Sequence, residues 1–313
     1  MKKLAKNVRF AALPLLCAVM MLAMNTNASA QEKSDTVPPA PKNKTLTVTY
    51  GFENLNHQYE SQSGSRLSWH DVFMHDIAVK LEKLGKDASH TYTLSLGKSW
   101  NAIHTDEDIQ PTQEDKIISF SYDVSAFKVA AAAEKHMKFM GNPTVDFNRK
   151  IMYTFVHFRD RYDQSFIQHA GYVDDFSPGE LSSTYSYNAL ALRYGLTKKS
   201  DNKHSFYTIS ANLGPQIDIG FANWVHRDVF CHPISFMNLS ADAGFDVNAT
   251  YGIKVAQNTS IVISIGVDMS KQLLGGQTFF YSKDGGEKHR MSVGLLKDEI
   301  TSAWVLTLGV RFK

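Results

Sequence analysis

The sequence predicts an all-β fold, a closed antiparallel transmembrane β-barrel of about ten strands, with eight to twelve as the range. Three observations predict it. Apolar and polar residues alternate along most of the chain, as in strands whose two faces meet different surroundings. The chain begins with an export signal, and the intervals between the alternating segments are by turns long and short.

The N-terminus has the pattern of a secretory signal peptide. Four basic residues precede an apolar run at 10–24, and Ala28-Ser29-Ala30 forms a small-residue cleavage site before Gln31. The apolar run is short for a membrane-spanning helix. Cleavage would remove four basic and no acidic residues, so the formal charge would change from +2 to −2. A nearly neutral chain is not typical of a nucleic-acid-binding protein, and no nucleic acid is predicted as a partner.

Three regions are predicted: a signal peptide at 1–30, a periplasmic linker at 31–44 and a barrel domain at 45–313. The linker contains three prolines and no apolar periodicity. Cys231 is the single cysteine beyond the signal, so it has no partner for an intramolecular disulfide, and it is weak support for a metal or nucleophilic site. No metal or cofactor is predicted.

Alternation is clearest at 235–251, where the odd positions from Met237 to Tyr251 are apolar and the even positions from Asn238 to Thr250 are small, polar or charged. Such rows predict a strand with one lipid-facing side. The predicted strands are 45–54, 66–82, 89–102, 116–133, 145–159, 183–196, 203–221, 235–255, 259–271 and 301–313.

Some features leave alternatives open. An exported soluble sandwich or lipocalin-like barrel would also alternate, although the long strands and the aromatic residues near strand ends favour a membrane barrel. Residues 67–81 also fit helical spacing, and Ala130–Met140 is alanine-rich. Pro215 interrupts the seventh strand, so we expect a bulge at Gly214-Pro215.

The loop lengths and the C-terminus indicate where the barrel lies. Short even-numbered connections and long odd-numbered ones match periplasmic turns and extracellular loops, and an even strand count places both termini in the periplasm. The final strand, Trp304–Phe312, ends in an aromatic residue followed by Lys313. This ending resembles small bacterial outer-membrane β-barrels. The resemblance implies outer-membrane localisation, insertion by machinery that reads the C-terminal strand, and outer-membrane lipid and lipopolysaccharide as surroundings.

The polar face of the strands predicts a charged lumen. Its predicted members are Asp123, Arg193, Asp218, Asp242, Asp246, Asp268 and Arg311. Charges confined in a narrow barrel are expected to pair. Two interpretations follow: a set of ion pairs that stiffens the barrel, or a narrow solute path lined by carboxylates.

Two predicted loops carry residues suited to hydrolysis. One contains His104 and Asp106-Glu107-Asp108, and the other contains His226-Arg227-Asp228. A histidine base oriented by an aspartate can activate water. The pattern is similar to that of the omptins, ten-stranded outer-membrane proteases with Asp-x-Asp in one loop and Asp-x-His in another. Here the second motif runs in the reverse order.

The sequence therefore favours a non-enzymatic outer-membrane barrel with a structural, surface-interaction or small-solute channel role. The alternative is an omptin-like hydrolase that uses His104, Asp106, Asp108, His226 and Asp228. The oligomeric state is not predicted.

Overall fold

The computed structural model describes residues 44–62, 64–85, 88–99, 102–109, 116–121, 123–161, 166–169, 172–174, 182–224, 231–284 and 288–313. These residues form fourteen strands: β1 Lys44–Ser61, β2 Arg66–Leu84, β3 Ala88–Ser99, β4 Ile103–Ile109, β5 Lys116–Ser121, β6 Asp123–Lys138, β7 Val145–Arg161, β8 Phe166–His169, β9 Tyr172–Asp174, β10 Ser182–Asp201, β11 Ser205–Asn223, β12 Phe236–Ala256, β13 Thr259–Asp284 and β14 Lys288–Phe312. The predicted signal peptide and nearly all of the linker lie outside the described residues.

Ten of these strands close into an antiparallel barrel. Their order round the ring is β1-β2-β3-β6-β7-β10-β11-β12-β13-β14. The ring closes because β1 pairs with both β2 and β14: Leu46 lies opposite Leu81 on one side and opposite Phe312 on the other. The prediction of a closed barrel of about ten strands, ending at Phe312, is confirmed.

A small outer sheet continues from β2 beyond the ring. β4 pairs with β2, β5 with β4, β8 with β5 and β9 with β8. The predicted strand at 116–133 was therefore wrong as one unit, because 116–121 belongs to this outer sheet and the barrel strand begins at Asp123. The helical alternatives for 67–81 and Ala130–Met140 were also wrong: cross-strand pairing places 67–81 within β2 and most of the alanine-rich segment within β6.

The two ends of the barrel differ. Short connections at 85–87, 139–144, 202–204 and 257–258 lie at the end that holds Lys44 and Lys313. We assign this end to the periplasm, because outer-membrane barrels have short periplasmic turns. At the opposite, outer end the strands continue where long loops were predicted, and β13 and β14 leave only 285–287 between them. Among the described residues, no helix is long and apolar enough to cross a membrane.

The outward side chains mark the height of the membrane. On β1, the outward residues Leu46 to Phe52 are apolar and exposed, whereas those from Asn54 to Glu60 are polar. On β14 the matching apolar row runs from Trp304 to Phe312. A tilted strand needs roughly ten residues to span the bilayer, so the remainder of each long strand stands in water at the outer end. We call these outward apolar rows the lipid belt.

Pro215 is accommodated without the bulge that the sequence suggested. It lies opposite Ala243 of β12, and the register between β11 and β12 has no shift. Towards β10, the pairing passes from Ala191–Gln216 to Tyr194–Leu213 in the same register, with no pair formed at Pro215. Proline has no backbone N–H to donate. This is tolerated at Pro215 because no residue of β10 pairs with it.

Candidate functional site

A charged layer crosses the barrel interior at the height of the lipid belt. Arg193 of β10 is completely buried. Its guanidinium donates two hydrogen bonds of 3.0 Å to Asp268 and one of 3.0 Å to Asp246, and a further bond of 3.1 Å goes to Gln216. The planar guanidinium suits this arrangement, since its fork of donors matches a carboxylate in two places.

The layer extends sideways through two lysines. Lys150 lies 3.3 Å from Asp246 and 3.7 Å from Glu134. Lys128 pairs with Glu53. Each of these cations has a carboxylate partner from another strand, so the charges cross-link the wall of the barrel and stay satisfied away from bulk water.

A cavity of about 800 Å³ runs from the periplasmic end past the charged layer to Tyr187. Its walls come from small side chains, such as Thr47 and Ala131, and from the ion pairs of the charged layer. Its lining includes Gly85 and Lys313 at the periplasmic turns, and Tyr187 at the inner end. We call this cavity the vestibule.

Ion pairs surround the vestibule where it meets the periplasmic turns. Arg311 donates a hydrogen bond of 2.8 Å to Glu82. Asp146 lies 3.1 Å from both Lys138 and Lys199. The first pair joins β14 to β2 across the intervening β1, whereas the pairs of Asp146 link β7 to its neighbours β6 and β10.

Three carboxyl groups form a cluster on the outer side of the charged layer. Gln216 donates hydrogen bonds of 2.9 Å to both carboxyl oxygens of Asp218. Among the described residues, neither oxygen of Asp242 has a hydrogen-bond donor, and Oε2 of Glu299 has none either. Lys and Arg side chains pair with none of the three in the described part of the chain, so the groups are best satisfied by sharing protons.

Glu299 stands beyond the lipid belt, five residues before Trp304 on β14. Burial raises the pKa of its carboxyl to about 8, and the nearby charge of Asp242 adds to the rise. At neutral pH this carboxyl is therefore mainly protonated. Within the described residues, no group of three or more histidine, cysteine, aspartate or glutamate side chains is arranged to hold a metal ion.

The outer half of the barrel interior is filled by aromatic and aliphatic side chains. We call the ring-bearing part the plug; it consists of His57, Tyr59, Trp69, Phe158, Tyr185, Tyr187 and Phe236, all at most 5 % exposed. The Trp69 ring stacks on Tyr185 and Phe158 at centroid distances of 4.5 and 4.8 Å. His57 stacks on Tyr187 at 4.6 Å.

His57 sits at the centre of the plug with both ring nitrogens occupied. Its Nδ1 lies 2.9 Å from the Thr301 hydroxyl, and its Nε2 lies 3.3 Å from the Tyr185 hydroxyl. Burial lowers the pKa of His57 to about 3, so the imidazole is neutral. A neutral ring donates through one nitrogen and accepts through the other, which matches two hydroxyl neighbours.

The structure places the lumen residues named from the sequence as follows. Arg193, Asp218, Asp242 and Asp246 are buried inside the barrel, Asp268 and Arg311 line the vestibule, and Asp123 is the first residue of β6. Arg193, Asp246 and Asp268 come together in one network, whereas Arg311 pairs with Glu82 at the periplasmic mouth.

Of the hydrolase candidates, the first set lies within the described residues and the second does not. His104, Asp106 and Asp108 lie on β4, which is a strand rather than the predicted loop, and Asp106 lies opposite Leu67 of β2. His226 and Asp228 lie outside the described residues, in the connection that follows β11. β2 and β11 are five strands apart in either direction round the ring.

Several important residues were missed from the sequence. Lys128, Glu134 and Lys150 belong to the charged layer, and His57 and Glu299 lie at the plug. The period-2 pattern could have found Glu53 and His57, because both share the inward parity of Thr45 to Thr49 on β1. The strand predicted from the alternation ends at residue 54, because the outward face of β1 becomes polar there.

Comparison with solved structures supports this architecture through one neighbour with a TM-score above 0.5. The outer-membrane protease OmpT of Escherichia coli superposes with a TM-score of 0.65 at 12 % identity, covering 89 % of this chain and 99 % of that one. Ail, the attachment invasion locus protein of Yersinia pestis, gives a TM-score of 0.28 at 10 % identity over 86 % and 98 %. The β-domain of the Bordetella autotransporter BrkA gives 0.35 at 9 % identity over 86 % and 99 %.

No protein-family model matches the sequence, and no curated protein matches it. The fold is therefore that of a bacterial outer-membrane β-barrel, shown by the architecture and by its likeness to OmpT. At this level of identity the likeness concerns the fold alone.

The ion pairs of the charged layer predict that Arg193→Met strongly lowers the free energy of unfolding. The variant leaves Asp268 without its cation, and removing one partner of a buried ion pair costs about 3–5 kcal/mol of unfolding free energy. Urea unfolding of the refolded protein in detergent micelles measures it. The double variant Arg193→Met/Asp268→Asn should recover part of the loss, because Asp268 pairs only with Arg193 among the described residues. A change below about 1 kcal/mol in Arg193→Met would contradict the assignment.

The carboxyl cluster predicts a pH dependence for Glu299→Gln. Between its ordinary pKa of 4.5 and about 8, the unfolded chain loses the Glu299 proton while the folded chain keeps it, so wild-type stability falls as the pH rises. Glutamine cannot ionise, so the variant should match the wild type near pH 4.5 and exceed it at pH 8 in the same urea assay.

Glu60→Gln serves as a control, because the pH dependence that Glu60 gives to stability has the opposite sign to that of Glu299. Hydrogen bonds from Lys297 and Arg66 lower the pKa of Glu60, so its contribution is present above pH 4.5 and is lost as the pH falls. Glu60→Gln should therefore be less stable than the wild type at pH 8. Equal pH profiles for the wild type and Glu299→Gln would show that Glu299 is not held protonated.

Proposed function

We propose that the chain is a non-enzymatic outer-membrane barrel, closed to solutes, that presents its extended outer end for surface interaction. The observation that carries this proposal is the plug. Its stacked rings and the aliphatic side chains around them, including Val72 and Met74, are shielded from solvent. An interior packed in this way leaves no room for a hydrated solute.

The vestibule supports the same proposal. Its lining includes Tyr187 of the plug, but not Tyr59, Trp69 or Phe236, which lie nearer the outer end. The vestibule is thus a recess that ends at the plug, which favours a structural role for the charged layer over a solute path. Paired charges in such a recess stiffen the barrel without conducting.

The outer end supports the surface role. The barrel strands continue beyond the lipid belt, and β4, β5, β8 and β9 extend the sheet from β2. Anchoring a barrel in the membrane does not require its strands to extend this far into the water outside. A rigid sheet above the membrane offers a surface on which a partner can bind with little ordering cost.

Planar-bilayer recording tests whether the barrel is closed. The wild type should give no stable conductance, and Trp69→Ala/Phe158→Ala/Tyr185→Ala should open discrete conductance steps because three stacked rings of the plug are lost. Heat-modifiable gel migration establishes that each variant is folded.

The matched control is Tyr50→Ala/Phe52→Ala/Phe73→Ala, which removes three rings from the lipid-facing surface. It should remain silent. Steady conductance through the wild type would defeat the proposal of a closed barrel.

A second candidate, an omptin-like surface hydrolase, is favoured by one observation. OmpT, described as an outer membrane protease, shares the barrel architecture over nearly its whole length. Asp106 lies on β4 beside β2, and β11, the strand that precedes His226 in the chain, is on the opposite side of the ring. The order His226-Arg227-Asp228 remains reversed relative to the omptin pattern.

A peptidase assay on the refolded protein with a mixed peptide library separates the two candidates. The leading proposal expects no cleavage above that of a His226→Ala/Asp106→Ala variant. Cleavage that disappears in this variant, but persists in the neighbouring control Thr105→Ala, would establish the hydrolase instead.

Other expectations from the sequence stay predictions. These are signal cleavage after Ala30, contact with lipopolysaccharide, and insertion by machinery that reads the C-terminal strand. The proposed function depends on none of them.

A further inference from the structure

One wall of the barrel is apolar on its outer surface far beyond the lipid belt. On β12, every outward residue from Met237 to Val255 is apolar, and on β11 the outward row is apolar from Tyr207 to Phe221. Other strands turn polar beyond the lipid belt: the outward row of β1 becomes Asn54 to Glu60, and that of β10 becomes Thr184 to Asn188. The asymmetry therefore belongs to this wall and not to the barrel as a whole.

The apolar row of β12 is too tall for the membrane alone. It covers eighteen residue steps. At about 3.3 Å per residue and a tilt of about 40°, this corresponds to roughly 45 Å, against an apolar band of about 25 Å in outer-membrane barrels. About half of the row therefore stands above the membrane, where water would otherwise cover it.

Cross-strand register shows that the upper part of this wall is one continuous surface. Leu239 lies opposite Gln277, which lies opposite Leu295, and the next row is formed by Met237, Phe279 and Val293. The wall is widened by a bulge in β13 that exposes Leu273 and Leu274 to about 70 %. We define the upper wall by its exposed members: Leu239, Leu273, Leu274, Met291, Val293 and Leu295.

We propose that the upper wall is the contact between two copies of this chain. Copies inserted in one membrane share the same orientation, so a two-fold axis along the membrane normal brings the same wall of each copy together. Along β12 the apolar row runs unbroken from the lipid belt to the upper wall, so one axis pairs both the membrane and the outer parts of this wall. Contiguous exposed apolar surface of this kind marks interaction sites in other proteins.

The charges beside the upper wall are compatible with self-association. Lys271 lies 3.4 Å from Asp298, and Lys297 lies 2.6 Å from Glu60. Because Lys271 and Lys297 are already paired within their own chain, neither of them adds an uncompensated like charge across the axis.

The area is sufficient for a specific dimer. An exposed apolar side chain of this size presents on the order of 100 Å², so the six members bury roughly 1,200 Å² in total from both copies. Specific interfaces begin at about 1,000–1,200 Å². Contacts between the membrane parts of the same walls add to this area.

Disulfide trapping in intact outer membranes tests the proposal. In a Cys231→Ser background, Leu274→Cys, Val293→Cys and Leu295→Cys are introduced singly and oxidised mildly. At least one should give a linked dimer in high yield, because an isologous contact brings residues near the axis against themselves. Asn56→Cys and Gln58→Cys, on the polar part of the outward row of β1, are matched controls and should give none.

A second measurement does not depend on cysteine chemistry. Light scattering in mild detergent should give two chains per particle for the wild type and one for Val293→Lys/Leu295→Lys, with heat-modifiable migration unchanged. A one-chain wild type without disulfide trapping overturns the proposal. Quenching of a Val293→Trp fluorophore by brominated lipid would also overturn it in favour of a lipid contact, and trapping to a different protein would overturn it in favour of another partner.

Discussion

Every backbone N–H and C=O group within the membrane must be paired inside the chain, because lipid offers no hydrogen bonds. β1 meets this constraint by pairing along its length with β2 on one side and with β14 on the other. Closure leaves each strand with one lipid-facing and one inward side. All charges at that height must therefore lie inside and find partners there, which is how Arg193 comes to be buried against Asp246 and Asp268.

The inward side chains of a single strand, β1, pack in two different ways along its length. On β1 the inward row begins with Thr45, Thr47 and Thr49, which are small and leave space for the vestibule. Further along it contains Leu55, His57 and Tyr59, which fill the interior. Above the membrane the barrel stands in water on its outer surface, so it needs an apolar interior of its own, and the plug supplies that core.

The difference between lipid on the outer face of the barrel and polar groups on its inner face explains how much of the fold could be predicted from the sequence. Alternation located the ten barrel strands because lipid imposes an apolar outward row, as at Trp304–Phe312. The strand extensions beyond the membrane were missed, since water outside imposes no such row: the outward residues of β1 become polar at Asn54, and β13 runs on to Asp284. Parity suggested an inward side for Arg193, but its choice of partners depends on the stagger of strands that are not sequence neighbours.

The plug and the upper wall are consequences of the same extension above the membrane. An extension needs only an apolar interior and a polar exterior to be stable in water, and β1 and β10 follow that rule. β12 and β14 break it, since Leu239, Val293 and Leu295 are exposed beyond the lipid belt. Because the fold does not require apolar side chains there, they are best explained by a contact that covers them. Two copies held parallel by one membrane provide that contact with no new element of structure.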